Sequence, residues 1–372
     1  MTRPTVELHR HFEAGIRPET IARLAVRHSL TEVRTRSGQV VPGADPQDPE
    51  SVRRYYASMA AGFGADDGFR RFTDSFGLPL SVIRSLEDLE EAVFDQLVDC
   101  AASGSLHTEL RGSPFTYQKQ IAEPVEEIAV ALVRGVDRAW AERAVSGTFI
   151  LAFSRQNGVA GADAPPAQRQ AEVVARLAAA LHRNDRPVGL DIAGYPETTF
   201  PPCLFEEALA PAREAGVPLT VHAGEQGKPP DFEGAPPALI VEAVERLGAR
   251  RIGHGTSLAA SAEARQFLRD RDVAVECCPV SNAKLGFITA VADHPLPLLL
   301  GEGLLVSLAT DDPLMFGPFT VAETFEAIAG PLGLGAADLL TLTRNGIESA
   351  FVTDARRALL RRQLEDRLRI NH

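Results

Sequence analysis

Eight short apolar runs of β-forming residues punctuate the chain, with helix-period segments between them, and few architectures accept that alternation. The runs are Thr5 to Phe12, Leu106 to Phe115 (LHTELRGSPF), Val145 to Ser154, Pro187 to Gly194 (PVGLDIAG), Pro218 to Glu225 (PLTVHAGE), Arg251 to Gly255 (RIGHG), Val273 to Asn282 (VAVECCPVSN) and Leu304 to Pro313 (LLVSLATDDP). Val173, Val174, Leu177 and Leu181 share one helix face, as do Leu239, Ile240, Ala243, Val244 and Leu247. Gly216 and Gly248 sit where helices should stop ahead of the fifth and sixth runs. Alternating strands and helices predict a parallel sheet. Eight such units predict an α/β fold of the closed (β/α)₈ kind, a TIM barrel, with residues 1–372 as one domain.

One connection breaks the rhythm. Roughly ninety residues separate the first two runs, where an ordinary βα loop has only a few. They hold a loop-like stretch from Arg34 to Glu50, with Pro42, Gly43, Pro46 and Pro49, and a helical pattern through Leu89, Val93 and Leu97. A helical insertion over the barrel mouth is expected, together with a second loop over Gly224 to Ala238 and extra helices after the eighth strand.

Charge and cysteine content narrow the setting. The formal net charge of -12 disfavours nucleic-acid backbones and anionic lipid surfaces. Cys100, Cys203, Cys277 and Cys278 form neither a disulfide framework nor a CxxC zinc pattern, which suits a reducing compartment. Met1-Thr2-Arg3-Pro4 leads directly into the first strand without the apolar stretch of a signal peptide, and no apolar run is long enough to span a bilayer. A cytoplasmic protein is expected. The oligomeric state is not legible.

The residues able to carry chemistry gather at the ends of these runs. His9 and His11 are two apart on the first strand, so both imidazoles project from one face. Two ligands to a divalent metal need that arrangement, and a pair of surface or core histidines would also satisfy it. His222 stands in HAGE at the end of the fifth strand, three residues before Glu225; either could be a satisfied buried polar group. His254 lies between Gly253 and Gly255, which would admit a close ligand or merely shape a turn. Asp311 and Asp312 end the eighth run, and adjacent strand residues diverge, so two roles are implied. Capping of a helix starting at Pro313 would explain one of them. The joint placement decides between these readings. Active sites of (β/α)₈ barrels form at the C-terminal strand ends, and independent core histidines would have no reason to collect there. Three histidines and an aspartate suit zinc, while the four cysteines do not fall at these positions.

At this point the chain resembles the adenosine/adenine deaminase family of the amidohydrolase superfamily. ELHRHFEAGIRPET, HTELRGSP, GLDIAG, TVHAGE, RIGHG, ECCPVSN and LATDDPLMFG occur in the family's order over nearly the whole chain. The resemblance implies one Zn²⁺ per chain held by His9, His11, His222 and Asp311. It implies that Glu225 protonates the ring nitrogen beside the reacting carbon, and that His254 orients and helps deprotonate the attacking water. Asp312 would hydrogen-bond that water and the purine, Gly194 would offer backbone contact to the ring, and Glu13 would occupy the position of a substrate-contacting acid. His11 would also border the substrate. The implied reaction is hydrolytic deamination of a 6-aminopurine nucleoside, adenosine or 2′-deoxyadenosine first, to the 6-oxo product and ammonia.

Departures from the family pattern fall on the substrate side. The chain reads Gly194-Tyr195-Pro196-Glu197 where GDE is usual, so an aromatic and a proline replace an acid. Glu13 is a methylene longer than the common Asp, Phe12 stands for Leu, and Gly112 stands where a bulkier residue is common. These leave adenine, aminodeoxyfutalosine and N6-modified adenines or adenosines as alternative substrates, since one hydrogen-bonding change can switch specificity. Another mononuclear amidohydrolase activity is a further alternative. The fourth strand, VGLDIAG, has no lysine to bridge two metals, which favours one. A binding protein that had merely kept the barrel should have lost ligands, and none is lost.

Overall fold

The computed structural model describes residues 3–64, 67–156, 165–183, 188–195, 197–227 and 234–370. Met1, Thr2, Pro187, Pro196 and residues 228–233 of the Gly224–Ala238 segment lie outside them. Eight strands form one sheet in chain order: β1 (Thr5–His11), β2 (Ser105–Gly112), β3 (Gly147–Ser154), β4 (Val188–Ala193), β5 (Leu219–Ala223), β6 (Arg251–His254), β7 (Ala274–Cys277) and β8 (Val306–Leu308). Each pairs in parallel with the next. Just past β8, a parallel bridge joins Arg10 to Asp311, the His11 N–H donating to the Asp311 carbonyl and the Asp311 N–H to the His9 carbonyl, each at 2.9 Å. The first and last strands thus meet through an expected metal ligand, and the sheet is the (β/α)₈ barrel foreseen.

Apolar faces of the strands pack outward against the helices: Phe149, Leu151, Phe153 and Leu190 share a core with Val174 and Ala178 of the helix Ala167–Arg183. Gly248 ends the helix Pro237–Leu247 at φ 72°, the left-handed cap expected of it. A second cluster joins Val6, Leu8 and Leu106 to Ile347, Leu360 and Leu364, so the extra C-terminal helices Ala336–Ser349 and Asp354–Ile370 pack against β1 and β2.

The interior of the barrel is charged rather than apolar. Arg111 on β2 donates to Asp191 on β4 at 3.2 Å and to Glu276 on β7 at 2.8 Å. Arg251 on β6 donates to Glu276 and to Glu109 on β2, both at 2.5 Å. β2 neighbours none of β4, β6 and β7, so its contacts with Asp191, Glu276 and Arg251 cross the lumen, while Arg251 and Glu276 link adjacent strands. All five side chains are buried.

The connection from β1 to β2 carries the expected insertion, including helices Pro18–Arg27, Pro49–Ala60, Gly68–Ser75 and Leu86–Ala102. Leu89, Val93 and Leu97 are buried on the last. From 34 to 48 the chain is irregular apart from one bridge, until Asp48 caps the helix at Pro49 through the amides of Glu50 and Ser51. Several strands end sooner than the apolar runs suggested, β7 and β8 by the most. β7 stops at Cys277, because Pro279 opens a helical turn over Pro279–Lys284. β8 stops at Leu308, and the backbone has turned to φ 63° by Asp311.

Candidate active site

Three imidazoles and one carboxylate aim at a common point above the C-terminal strand ends. The Nε2 atoms of His11 and His222 lie 3.2 Å apart, and those of His9 and His11 are each 3.4 Å from Asp311 Oδ1. Buried carboxylates fix the ring orientations from behind. His9 Nδ1 donates to Glu276 Oε2 at 2.8 Å, and His222 Nδ1 donates to Asp191 Oδ1 at 3.1 Å. With Nδ1 protonated, each Nε2 presents a lone pair. His9 Nε2 is buried without a hydrogen-bond partner, as a ligand atom would be. His9, His11 and His222 offer ligand atoms within 4.8 Å of one another, Asp311 falls in such a group with His9 and in another with His11, and three imidazole nitrogens with one carboxylate oxygen fit a divalent ion such as zinc.

The charge states of His11, His222 and Asp311 agree with that use, whereas on His9 burial and the Arg111 charge are outweighed by the hydrogen bonds to Asp311 and Glu276, which raise the imidazole. Burial pulls the His11 imidazole down to about 3, against the pull of the Asp311 carboxylate, and it lowers His222 as well. Burial would raise Asp311, but the facing imidazoles of His9, His254 and His11 hold it well below the usual range. Its neighbour Asp312 moves the other way, raised by burial and by the Asp311 charge beside it. Glu225 is raised well above an ordinary carboxyl, first by burial and then by the charges of Asp311 and Glu197.

His254 and Asp311 both take left-handed backbone at φ 65° and 63°. Non-glycine residues pay for this with strain of order 1–3 kcal/mol each, which concentrates at functional sites. His254 Nε2 is 3.5 Å from Glu225 Oε1, and its Nδ1 lies 3.1 Å from Asn282 Nδ2. Asn282 therefore sets the tautomer. With its amide nitrogen donating, the proton sits on Nε2; with the amide turned, Oδ1 would accept Nδ1–H and free Nε2 to take a proton.

His11, His222, Glu225, His254, Asp311 and Asp312 border one cavity of about 410 Å³, together with Glu13, Gly112, Gly194 and Tyr195. Gly194 has φ 91°, and a Cβ there would stand 2.6 Å from Ser154 Oγ, so the turn out of β4 requires glycine. At Gly112 a Cβ would make only ordinary contacts, so that glycine simply leaves room beside Glu13. Burial pushes the Glu13 carboxyl up to about 7. Tyr195 packs edge-on to Phe69 of the insertion, with ring centres 4.5 Å apart, and to Phe287 after β7 at 5.9 Å. It is a wall of the cavity, covered by a helix of the insertion and by the segment after β7.

All nine residues singled out in the sequence come together here. Others did not stand out. Asp191 lies inside GLDIAG and Glu276 inside ECCP, yet neither motif shows that its acid backs a histidine on another strand. Cys278 was expected to stand apart, but its Sγ falls within 4.8 Å of ligand atoms of His9, His254 and Asp311. Burial and the neighbouring carboxylates keep it a thiol.

Gly253 gives a direct test of the packing around His9. A Cβ at 253 would sit 2.9 Å from His9 Cε1 and 3.2 Å from Nδ1. Gly253→Ala should push the ring off Glu276 and weaken metal binding roughly 10- to 100-fold, measured by competition with a chelator. Unchanged affinity would mean that the ring gives way freely.

Comparison with known proteins agrees with this geometry. The adenosine deaminase family model matches residues 4–367. An adenine deaminase of Rhodospirillum rubrum is 30% identical over 363 residues, covering 97% of this chain and 96% of that protein. An adenosine deaminase of Shewanella loihica is 28% identical over 357 residues, covering 96% and 97%. The crystal structure of an adenine deaminase from Arthrobacter aurescens superposes with a TM-score of 0.78 at 28% identity, covering 99% of both chains. With its barrel, its converging histidines and a match over almost its full length, the chain belongs to the adenosine deaminase family of hydrolytic deaminases.

Proposed function

We propose that this protein, acting as one domain in the cytoplasm, is a zinc-dependent deaminase of a 6-aminopurine nucleoside, with adenosine and 2′-deoxyadenosine the leading substrates. The observation carrying this reading is the gathering of His9, His11, His222 and Asp311 at the strand ends opposite a buried Glu225 whose carboxyl is held well above the ordinary range, all of them but His9 lining one cavity. Zinc held by those four residues would supply Lewis acidity that lets water lose a proton near neutral pH. The protein's own groups do the rest. Glu225 gives its proton to the ring nitrogen beside the amino-bearing carbon as the water oxygen adds to that carbon. His254 orients the water and takes its proton, and Asp312 hydrogen-bonds the water and the purine. The Gly194 backbone meets the ring. Breaking the C–N bond releases ammonia and leaves the 6-oxo purine.

The cavity's other polar groups favour a sugar over a phosphate. Glu13, Ser113, Thr116 and Gln156 suit hydroxyl groups. Arg36 is the one arginine or lysine in the described lining, and it faces the acids Glu13 and Asp74. A nucleoside monophosphate would meet more negative than positive charge there. Adenine itself is the second reading, supported by the likeness to adenine deaminases and by the Tyr195 wall. Neither a nucleic acid nor a membrane surface suits the net charge of -12, and among the described residues no helix is long and apolar enough to cross a membrane. The cysteines, all four free, suit a reducing compartment.

Ammonia release from the zinc-loaded protein tests the proposal. The panel is adenosine, 2′-deoxyadenosine, adenine, aminodeoxyfutalosine, N6-substituted adenines and AMP. Turnover of adenosine with little of AMP is expected. Preference for adenine would show that the sugar groups go unused, and turnover of none would overturn the deaminase assignment to purines. In the same assay Glu225→Gln should keep its metal and lose kcat by roughly 10²- to 10⁴-fold, the usual contribution of a positioned general acid.

A further inference from the structure

β5 ends with His222 and Ala223, and the turn that follows carries Glu225 and is held from outside the strand. Gly224 takes φ 71°, where a Cβ would stand 2.5 Å from Ser257 Oγ and 2.6 Å from Ile240 Cδ1. The Thr256 hydroxyl faces the Gly224 carbonyl at 2.7 Å and the Glu225 carbonyl at 3.0 Å. The two amides of the turn point the other way, into a buried carboxylate. Glu197 Oε2 accepts the Gly224 N–H at 2.8 Å, and Glu197 Oε1 accepts the Glu225 N–H at 3.0 Å. Glu197 is 1% exposed; burial raises its carboxyl, against the pull of buried Arg155, of the two turn amides and of the Gln226 backbone, and Arg155 Nη2 donates to the His222 carbonyl at 2.5 Å.

An isolated carboxylate is costly to bury, and a solvent-facing turn needs none. One that accepts two consecutive backbone N–H groups fixes the peptide between them in both tilt and rotation. The Cα of Glu225 follows directly from that peptide, so the direction of its side chain is set there.

We propose that Glu197 is a positioning residue for deamination: by accepting the N–H groups of Gly224 and Glu225, it holds the turn that aims the Glu225 carboxyl at the substrate ring. This rests on the reading of Glu225 as the ring-protonating acid. Glu197 touches neither substrate nor reacting atoms and acts through its grip on the turn. It has a second effect through space, because its negative charge helps keep the Glu225 proton in place. The other charged or titratable groups around Glu225 are Asp311, Arg155, Asp191, Asp312, His254 and Tyr195. None of them binds the turn's amides.

The test uses the full zinc-loaded chain and whichever aminopurine the wild type deaminates best. Glu197→Gln keeps the shape but sets an N–H₂ donor against one of the two N–H groups. It should lower kcat roughly 30- to 100-fold, as misplacement of a catalytic group does, with KM and zinc content little changed. Loss of the charge should also move the alkaline limb of the kcat/KM profile to lower pH, since Glu225 then gives up its proton sooner. Glu197→Asp keeps the charge but cannot span both amides. It should lose kcat by roughly 3- to 10-fold with the alkaline limb unmoved, and it serves should the glutamine variant fail to fold.

Three results would overturn the proposal. Glu197→Gln with wild-type kcat and pH profile would leave Glu197 no part in the reaction. Loss of zinc in step with kcat would make it scaffold for His222 instead. Full turnover by Glu225→Gln would remove the acid on which the proposal stands, and that outcome is read separately from the Glu197 variants.

Discussion

His222→Ala is expected to leave the barrel folded, strip the metal and abolish ammonia release. His222 offers the only donor from β5, and its Nε2 faces His11 Nε2 at 3.2 Å, so removing it opens one side of the ligand set. Asp191 is then left buried with Arg111 as its remaining partner, since it spends one oxygen on the His222 ring. Three protein donors would remain, and zinc sites that lose a ligand lose affinity steeply. Metal analysis after dialysis should find the wild type with one zinc per chain and the variant empty. Metal retained at full stoichiometry would show that the four-donor set is wrong, and the nearby Cys278 thiol would be the first substitute to examine.

Arg251→Met is expected to destabilise the fold by about 3–5 kcal/mol, the cost of leaving buried charge without its partner. Arg251 serves Glu276 and Glu109 at once, donates to the Ser349 carbonyl at 2.9 Å, and stacks on the Phe351 ring. Burial would raise both carboxyls, but Arg251 holds Glu109 below the usual range, and it does so with Arg111 for Glu276. Groups lowered in this way stabilise the wild type above an unfolded value of 4.5, and that contribution fades as pH falls below it. In the variant the two carboxyls rise, so the deficit should be greatest at neutral pH and shrink toward pH 4. Denaturant melts at several pH values check both points. A deficit independent of pH would mean that lost packing on Phe351, not unpaired charge, is responsible. Because Glu276 also orients His9, the variant should bind zinc more weakly as well.

The barrel and the candidate ligands were legible because their signals are local. A strand repeats every two residues, so His9 and His11 share a face whatever surrounds them, and HAGE, GHG and TDDP each end an apolar run. Helix stops such as Gly248 need only their own backbone. The strand ends were less legible: β7 and β8 stop where Pro279 and the turned backbone at Asp311 break the ladder, while their apolar character runs on.

Closure of the sheet decided the rest. Arg111 meets Asp191 80 residues away and Glu276 165 residues away, across a lumen that does not exist until eight strands close. Replacing an acid after Gly194 reads in sequence as a loss, yet Glu197 lies 27 and 28 residues before the amides that it caps. The sequence by itself determined the architecture and the chemistry-bearing groups, because periodicity and strand-end placement are properties of short segments. Only the tertiary structure decided which buried charges orient those groups, because a carboxylate's partner is set by distance in space and by exclusion of water.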